Sequence, residues 1–547
     1  MIFFYCFYFY FVYNLIMENI SELRKENIKL KIENKKLKNE VTRLSVALNR
    51  EKNKNRQLQE KFDKYVSEEN ERIEKIVNKA VSEVSKKYEK IIDGLNSKIT
   101  KLESQLNKNS SNSGIPSSKN NINVKISNNR EKSNNTKGGQ KGHKKHTLEY
   151  FKDDEITETI EHTLDKCPKC NGELKEENIV ISDIIDIKIN IIRQRNNIHN
   201  YKCLKCNKII TANDKLPRGV TYGSNVKATA LTLLNESNVA INKVSKFIKG
   251  ISNNEINISE GYLSKLQKDA SSKLDSFIMD LKQEIVKLPI VHWDDTTCKI
   301  DNKNGIMRYY GDDYYSLLIG HDTKSKDGID EDNILCNLTK DTVCVHDHVL
   351  LNYNDEYQFK NAECNIHVLR YLKGIKDNLH DHKWQDKMSD LLKNTNEKRK
   401  ELIHQNILNF ENEYINRINE EYDKIIKLGY EENKSTPDYH YYKKEEENLI
   451  KRLERYKENH LLFMYNFSVP FTNNTAEKGI RQVKRKMIVS YSFKNINTLK
   501  NYGRILSYIE TCYRHGITKH EALKRLSENN PITIEEIKNY EEGKTSS

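Results

Sequence analysis

Val291-His292-Trp293-Asp294-Asp295-Thr296-Thr297 puts carboxylates on the first strand of a core, inside a β-prone run covering 290–300. Residues 307–310 and 314–319 resemble successive strands, with Gly305 and Gly311-Asp312-Asp313 at the turns. A short helix is expected around 330–338, followed by a buried strand over 342–346. Val343-Cys344-Val345-His346-Asp347-His348 sets a second carboxylate at the end of that strand. Near 467–477 strand gives way to helix, and Pro470-Phe471-Thr472-Asn473-Asn474-Thr475-Ala476-Glu477 places a third acid at the entry to a basic helix. The β-β-β-α-β order followed by helices predicts a mixed α/β core. Carboxylates at strand ends beside a helical carboxylate can bind two Mg²⁺ ions about 4 Å apart, activating a water or 3′-hydroxyl for in-line phosphoryl transfer. By pattern alone, a single acid is more often a solvated charge.

Asp294 and Asp347 stand 53 positions apart, room for a hairpin, a strand and a helix. Asp347 and Glu477 are 130 apart, so the charged helical stretch from about 377 to 457 reads as an insertion, either clamping DNA or a partner subunit or serving as scaffold. Lys478, Arg481, Lys484, Arg485 and Lys486 follow Glu477, and a 3.6-residue period sets 477, 481, 484 and 485 on one helical face. Cations there can lie along a phosphate backbone. His346, His348 and His367 read as structural. Cys364 and His367 lack a further evident pair of ligands for a metal. Upstream, 222–288 has helical spacing, with Ser259-Glu260-Gly261 placed to start a helix. A helix-turn-helix-like unit and ordinary helical packing are not separable there by periodicity.

Two Cys-x-x-Cys pairs, Cys167/Cys170 and Cys203/Cys206, are 32 residues apart and flank β-like runs such as 179–192. Two such knuckles suit one tetrahedral Zn²⁺ in a closed, structural Cys₄ site. Ten cysteines in 547 residues do not read as a disulfide scaffold, and the pairs point to a reducing compartment, hence the cytoplasm. Leu23, Leu30, Leu37 and Leu44 recur every seven residues, with Asn27, Asn34, Val41, Leu48 and Asn55 at the a positions. That pattern predicts a two-stranded parallel coiled coil and a homodimer, or else one long helix packing on its own protein. The net charge of +13 invites a polyanionic partner, and the Ser/Asn/Lys/Gly tract 109–147 holds +7 of it, eight cations against Glu131. It reads as a flexible basic linker. The apolar run 1–16 is too short to span a membrane and lacks the marks of a signal peptide, so Met17 is a candidate true start.

The chain resembles the insertion sequence 66 family of bacterial DDE transposases. Asp294-Asp295-Thr296 resembles that family's Asp-Glu-Thr, and Asp347 followed by Cys364-x-x-His367-x-x-Arg370 resembles its second acid and Cys-x-x-His-x-x-Arg. Asn473-Asn474-Thr475-Ala476-Glu477 is similar to its Asn-Asn-x-Ala-Glu, and Ser507-Tyr-Ile-Glu510-Thr-Cys512 with Gly516 to its C-terminal element. The linker's Gly-Gly-Gln-x-Gly-His and the paired knuckles match in the same order. Asp295 replaces the usual Glu, and Lys478 the usual Arg. Adjacent strand residues face opposite ways, so one of Asp294 and Asp295 can face metals, and the family match favours Asp294.

The resemblance implies a ribonuclease-H-like core with Asp294, Asp347 and Glu477 holding two Mg²⁺ (or Mn²⁺), cleavage at transposon ends and strand transfer by the liberated 3′-hydroxyl. Arg370, Lys478, Arg481, Lys484 and Arg485 are the expected DNA contacts. Accessory proteins of the same element are expected partners, and no membrane. The expected partition is an apolar extension 1–16, coiled coil 17–108, basic linker 109–147, Cys₄ zinc domain 148–216, helical region 217–288, core 289–376, helical insertion 377–460, second core part 461–495 and C-terminal helices 496–547. The alternative is a zinc-containing, dimeric DNA-binding protein whose transposase-like core is inactive. A filament-like structural protein would explain 17–108 alone.

Overall fold

The computed structural model describes residues 2–63, 70–113, 148–213 and 216–545. Of the expected linker, 114–147 lie outside the described residues. The chain divides into two units, one made of residues 1–127, 222–244 and 259–547, the other of residues 128–221 and 245–258. No helix among the described residues is long and apolar enough to cross a membrane.

The larger unit opens with α1 (Ile2–Asp63) and α2 (Asn70–Asn107), which contact one another. Residues 2–16 run straight into α1, so the apolar start and the heptad segment share one helix. Asn27, Leu30, Asn34, Leu37, Val41 and Leu44 are half-buried, whereas Ile28 and Ile32 are exposed. From Asn27 to Leu44 the heptad stripe is thus the less exposed side of α1 within one chain, while Leu23 is exposed. Beyond α2, the first residues of the expected linker are docked: Asn112 Nδ2 donates to Asp377 Oδ2 at 2.8 Å and Lys373 Nζ to Ser111 Oγ at 2.7 Å.

The smaller unit contains an antiparallel pair, β1 (Asn200–Lys202) and β2 (Ile209–Thr211). The run 179–192, expected to be β-like, carries no regular secondary structure, and Ile184, Ile187 and Ile192 are exposed. An apolar run becomes a strand only where a neighbouring ladder takes its backbone groups, and the ladder of this unit flanks the second cysteine pair instead.

Helices α3 (Ser224–Leu231), α4 (Ile241–Ile251), α5 (Glu260–Ser272) and α6 (Asp275–Ile285) precede the main sheet. As expected, Ser259 starts a helix, its Oγ accepting the Tyr262 N–H at the N-cap of α5. The sheet comprises β3 (Ile290–Ile300), β4 (Lys303–Gly311), β5 (Ser316–His321), β6 (Val343–His346) and β7 (Lys360–Glu363), ordered β5-β4-β3-β6-β7. β3, β4 and β5 form an antiparallel meander, β6 lies parallel to β3, and β7 parallel to β6. The fold is therefore mixed α/β. Three details differ from expectation. The helix placed at 330–338 is α7 (Lys326–Asp330), with only a 3₁₀ turn at Leu335–Asn337. β7 was not foreseen, and 467–473 holds no strand.

Among the described residues nine further helices follow: α8 (Asn365–Lys376), α9 (Trp384–His404), α10 (Asn412–Ser435), α11 (Tyr441–Arg455), α12 (Lys457–Tyr465), α13 (Asn474–Ser490), α14 (Ile496–Arg514), α15 (Lys519–Ser527) and α16 (Ile534–Thr545). Val343, Val345 and Ala362 of the sheet belong to one buried cluster with Trp384, Tyr422 and Leu453 of the insertion. The insertion interrupts the sequence of the core without forming a separate core of its own. α13 and α14 cover the opposite part of the sheet, where Gly503 of α14 sits so near β5 that an added Cβ would lie 2.8 Å from the Leu318 carbonyl oxygen.

Candidate active site

Strand alternation separates the two adjacent acids of β3. Asp294 lies opposite Tyr309 and Asp295 opposite Arg308, and paired residues share a face. Tyr309 faces α13, because a Cβ on Gly479 would lie 2.2 Å from its ring. Asp294 therefore shares the α13 side, while Asp295 turns the other way and pairs with Lys324 at 2.6 Å. The Lys324 loop is itself fastened by fully buried Arg308, which donates to the carbonyl oxygens of Gly328 and Thr323 and to Asp332.

The parallel register of β3 with β6 sets His292 opposite Val345. Two residues further along each strand come Asp294 and Asp347, so the topology brings their carboxyl groups to one edge. The chemistry reflects it: burial and the negative charge of Asp347 push the Asp294 carboxyl up to about 7, with Lys484 acting in the opposite sense. Asp294 Oδ1 also accepts the Asp295 N–H at 2.8 Å.

Glu477 lies in the first turn of α13 and is half-buried. What seats that turn is Asn473, fully buried at the N-cap. Its Nδ2 donates to the Trp293 carbonyl oxygen at 2.9 Å, its Oδ1 lies 2.9 Å from His292 Nδ1, and its backbone N–H reaches the Cys364 sulfur at 3.2 Å. One side chain thus ties the start of α13 to the residues immediately before Asp294. Among the described residues, only Asp347, Cys364 and His367 bring three ligand atoms within 4.8 Å of one another. The three carboxylates are spaced more widely than one shared ion would hold them, though a pair of ions about 4 Å apart spans a larger set. Gly479→Ala is expected to lower the melting temperature, because overpacking costs about 1–3 kcal/mol and exceeds the helix-propensity gain of about 1 kcal/mol. A thermal melt with an unchanged or raised midpoint would show that α13 does not need this close approach.

Of the expected DNA contacts, Lys478, Arg481, Lys484 and Arg485 are exposed along α13. Lys486 is not part of that row: its ammonium sits over the Tyr502 ring at 5.7 Å, and burial pulls it down to about 8. Arg370 is half-buried and donates through Nη1 to His367 Nε2 at 3.0 Å. His367 Nδ1 in turn stands 2.9 Å from Asp347 Oδ1.

Beside this edge, Glu363 at the end of β7 is buried among donors. His348 Nδ1 at 2.5 Å, the Tyr353 hydroxyl at 2.6 Å and Arg452 at 2.5 Å surround it. Burial works against its charge, but His348, His460 and Arg452 hold its carboxyl well below the usual range. His348 is thus engaged with Glu363. Sequence reading missed Glu363 and Asn473 as organising residues; the one available signal was that Asn473 lies inside the motif ending at Glu477.

In the smaller unit, the two cysteine pairs have the same local geometry. Asn171 and Asn207, each four residues after the first cysteine of its pair, adopt left-handed backbone with φ of 60° and 58°. Their N–H groups return to the Cys167 and Cys203 carbonyl oxygens at 2.8 and 2.9 Å. Backbone N–H groups of Lys169 and Cys170 lower the Cys167 thiol, and those of Cys206 and Lys205 lower Cys203. Such turns favour thiolates and fit a thiophilic metal. Each pair is formed, but the four sulfurs are not gathered into one group.

A family model described as Transposase IS66 family matches residues 219–500, just over half of the chain and the whole interval from Asp294 to Glu477. No curated protein and no solved structure matches the chain.

Proposed function

The chain belongs to the IS66 family of transposases, and on that footing we propose that it cuts DNA at the ends of a mobile element and joins them to a target through Asp294, Asp347 and Glu477. The observation that carries this reading is the approach of Asp294, within β3, and Asp347, just past the end of the parallel strand β6, close enough for one charge to raise the proton affinity of the other. A half-buried pair of like charges of this kind is relieved by a divalent cation. Two Mg²⁺ ions, or Mn²⁺ in their place, would supply a polarised water or 3′-hydroxyl and stabilise the leaving oxygen. Asn473 holds the Glu477 turn against β3. Exposed Lys478, Arg481, Lys484 and Arg485 offer charge to the phosphate backbone, a contact that positions DNA without reading its sequence. Three antiparallel strands continued by two parallel ones support the ribonuclease-H-like reading of the core.

The flanking regions complete the proposal. Cys167, Cys170, Cys203 and Cys206 are the residues that would hold one structural Zn²⁺, their two turns already favouring thiolates. The heptad stripe of α1 pairs two copies of the chain, a reading supported by Asn27 and Asn34, whose side-chain oxygens are buried without a hydrogen-bond partner among the described residues. Other proteins of the element cooperate in the reaction.

The test is incubation of the purified full chain with a labelled duplex ending in the terminal sequence of its element. Mg²⁺-dependent nicking at the element boundary is expected, from a preparation carrying one zinc per chain and twice the 64.3 kDa chain mass. Metal-independent DNA binding with no cleavage in Mg²⁺ or Mn²⁺ would instead establish the inactive, DNA-binding alternative.

A further inference from the structure

Cys364 caps α8, and His367 lies in the first turn of that helix. The Cys364 sulfur, His367 Nδ1 and an Asp347 oxygen fall within 4.8 Å of one another, the spacing of a small metal site. Two features oppose that use. Arg370 donates to His367 Nε2, which makes Nε2 the acceptor and leaves the ring proton on Nδ1, the nitrogen that stands 2.9 Å from Asp347 Oδ1 in an ion-pair contact. The lone pair that a metal would need at Nδ1 is therefore engaged. The trio also sits at the N-terminal, positive end of α8 beside a guanidinium, a poor environment for a cation. Charge and tautomer both suit an anion held in place.

We infer that Arg370 and His367 form a relay that positions Asp347, with Arg370 fixing the ring tautomer and His367 occupying one carboxylate oxygen. Cys364 joins the relay to the rest of the site, since its sulfur also accepts the Asn473 N–H that seats the Glu477 helix. The arrangement removes Arg370 from the direct DNA contacts and makes it a positioning residue. The inference rests on the proposed role of Asp347 as a metal-binding carboxylate.

Mn²⁺ affinity of the full chain, measured by titration calorimetry without DNA, tests it separately from catalysis. His367→Leu removes the donor and is expected to weaken Mn²⁺ binding about 10–100-fold, the usual cost of losing a partner behind a metal ligand. His367→Asn keeps an N–H near the Nδ1 position and is expected to restore most of that loss, which a merely structural role would not predict. If the Leu variant fails to fold, Arg370→Met, which deprives the ring of its Nε2 partner only, carries the same expectation of weakened binding. Unchanged Mn²⁺ affinity in folded His367→Leu, or in Arg370→Met, overturns the relay. So does stoichiometric Co²⁺ binding with a thiolate charge-transfer band that vanishes in Cys364→Ser, because the trio is then itself a metal site. If Asp347→Asn binds Mn²⁺ like the unaltered protein, the assignment of Asp347 has failed and the relay falls with it.

Discussion

Asp347→Asn is expected to reduce metal-dependent cleavage of a DNA end by about 10³-fold or more, roughly 4 kcal/mol of lost transition-state stabilisation. The amide keeps the shape of the side chain but cannot carry the charge that faces Asp294. It retains an oxygen beside His367 Nδ1, so the fold of this edge is expected to survive and the melting temperature to stay close to its original value. A second consequence follows from the charge relation between the two aspartates. With Asp347 neutralised, the largest of the charge effects that lift the Asp294 carboxyl to about 7 disappears, and its titration is expected to move back toward ordinary carboxylate values. Cleavage at the unaltered rate by the Asn variant would remove Asp347 from the chemistry; a collapsed melting temperature would make its role structural.

Arg452→Ala is expected to destabilise the protein by about 3–5 kcal/mol, because it leaves the buried Glu363 carboxylate without its principal cation. Glu363 belongs to the sheet and Arg452 to α11, so the pair fastens the insertion to the edge that carries Asp347. Glu363→Gln probes the same contact through pH. A carboxyl held below its usual range contributes stability that is complete above the unfolded value near 4.5 and is lost as pH falls from there toward the folded value. The unaltered protein should therefore lose urea resistance steeply below about pH 4.5, and Glu363→Gln should flatten that part of the curve. Identical slopes in the two proteins would mean that Glu363 is not ionised in the folded state.

How much of this was legible in the sequence depends on which force decides each element. β3 and β6 are dense in β-branched and aromatic residues, so their own propensity marks them. The opposite facing of Asp294 and Asp295 follows from strand alternation, and the structure pairs Asp295 with Lys324 accordingly. β7 reads Lys-Asn-Ala-Glu, which has no strand signal; it is a strand because β6 offers it a parallel ladder. The reverse error arose at 179–192, where isoleucines suggest a strand but no neighbour completes one. Asn473 acts through partners 180 and 181 positions away, so its hydrogen bonds belong to tertiary structure and leave no local trace. The cysteine knuckles are the opposite case, since a two-residue turn and its left-handed Asn are set by local backbone chemistry.

The most direct trial is a crystal structure of the full chain with Mn²⁺ and a DNA end, using the anomalous signal of the metal to locate it. Two manganese positions roughly 4 Å apart, bridged by Asp347 or Asp294 and reached by Glu477, are the predicted result. Manganese bound elsewhere, with the Glu477 side chain directed away from both aspartates, would contradict it.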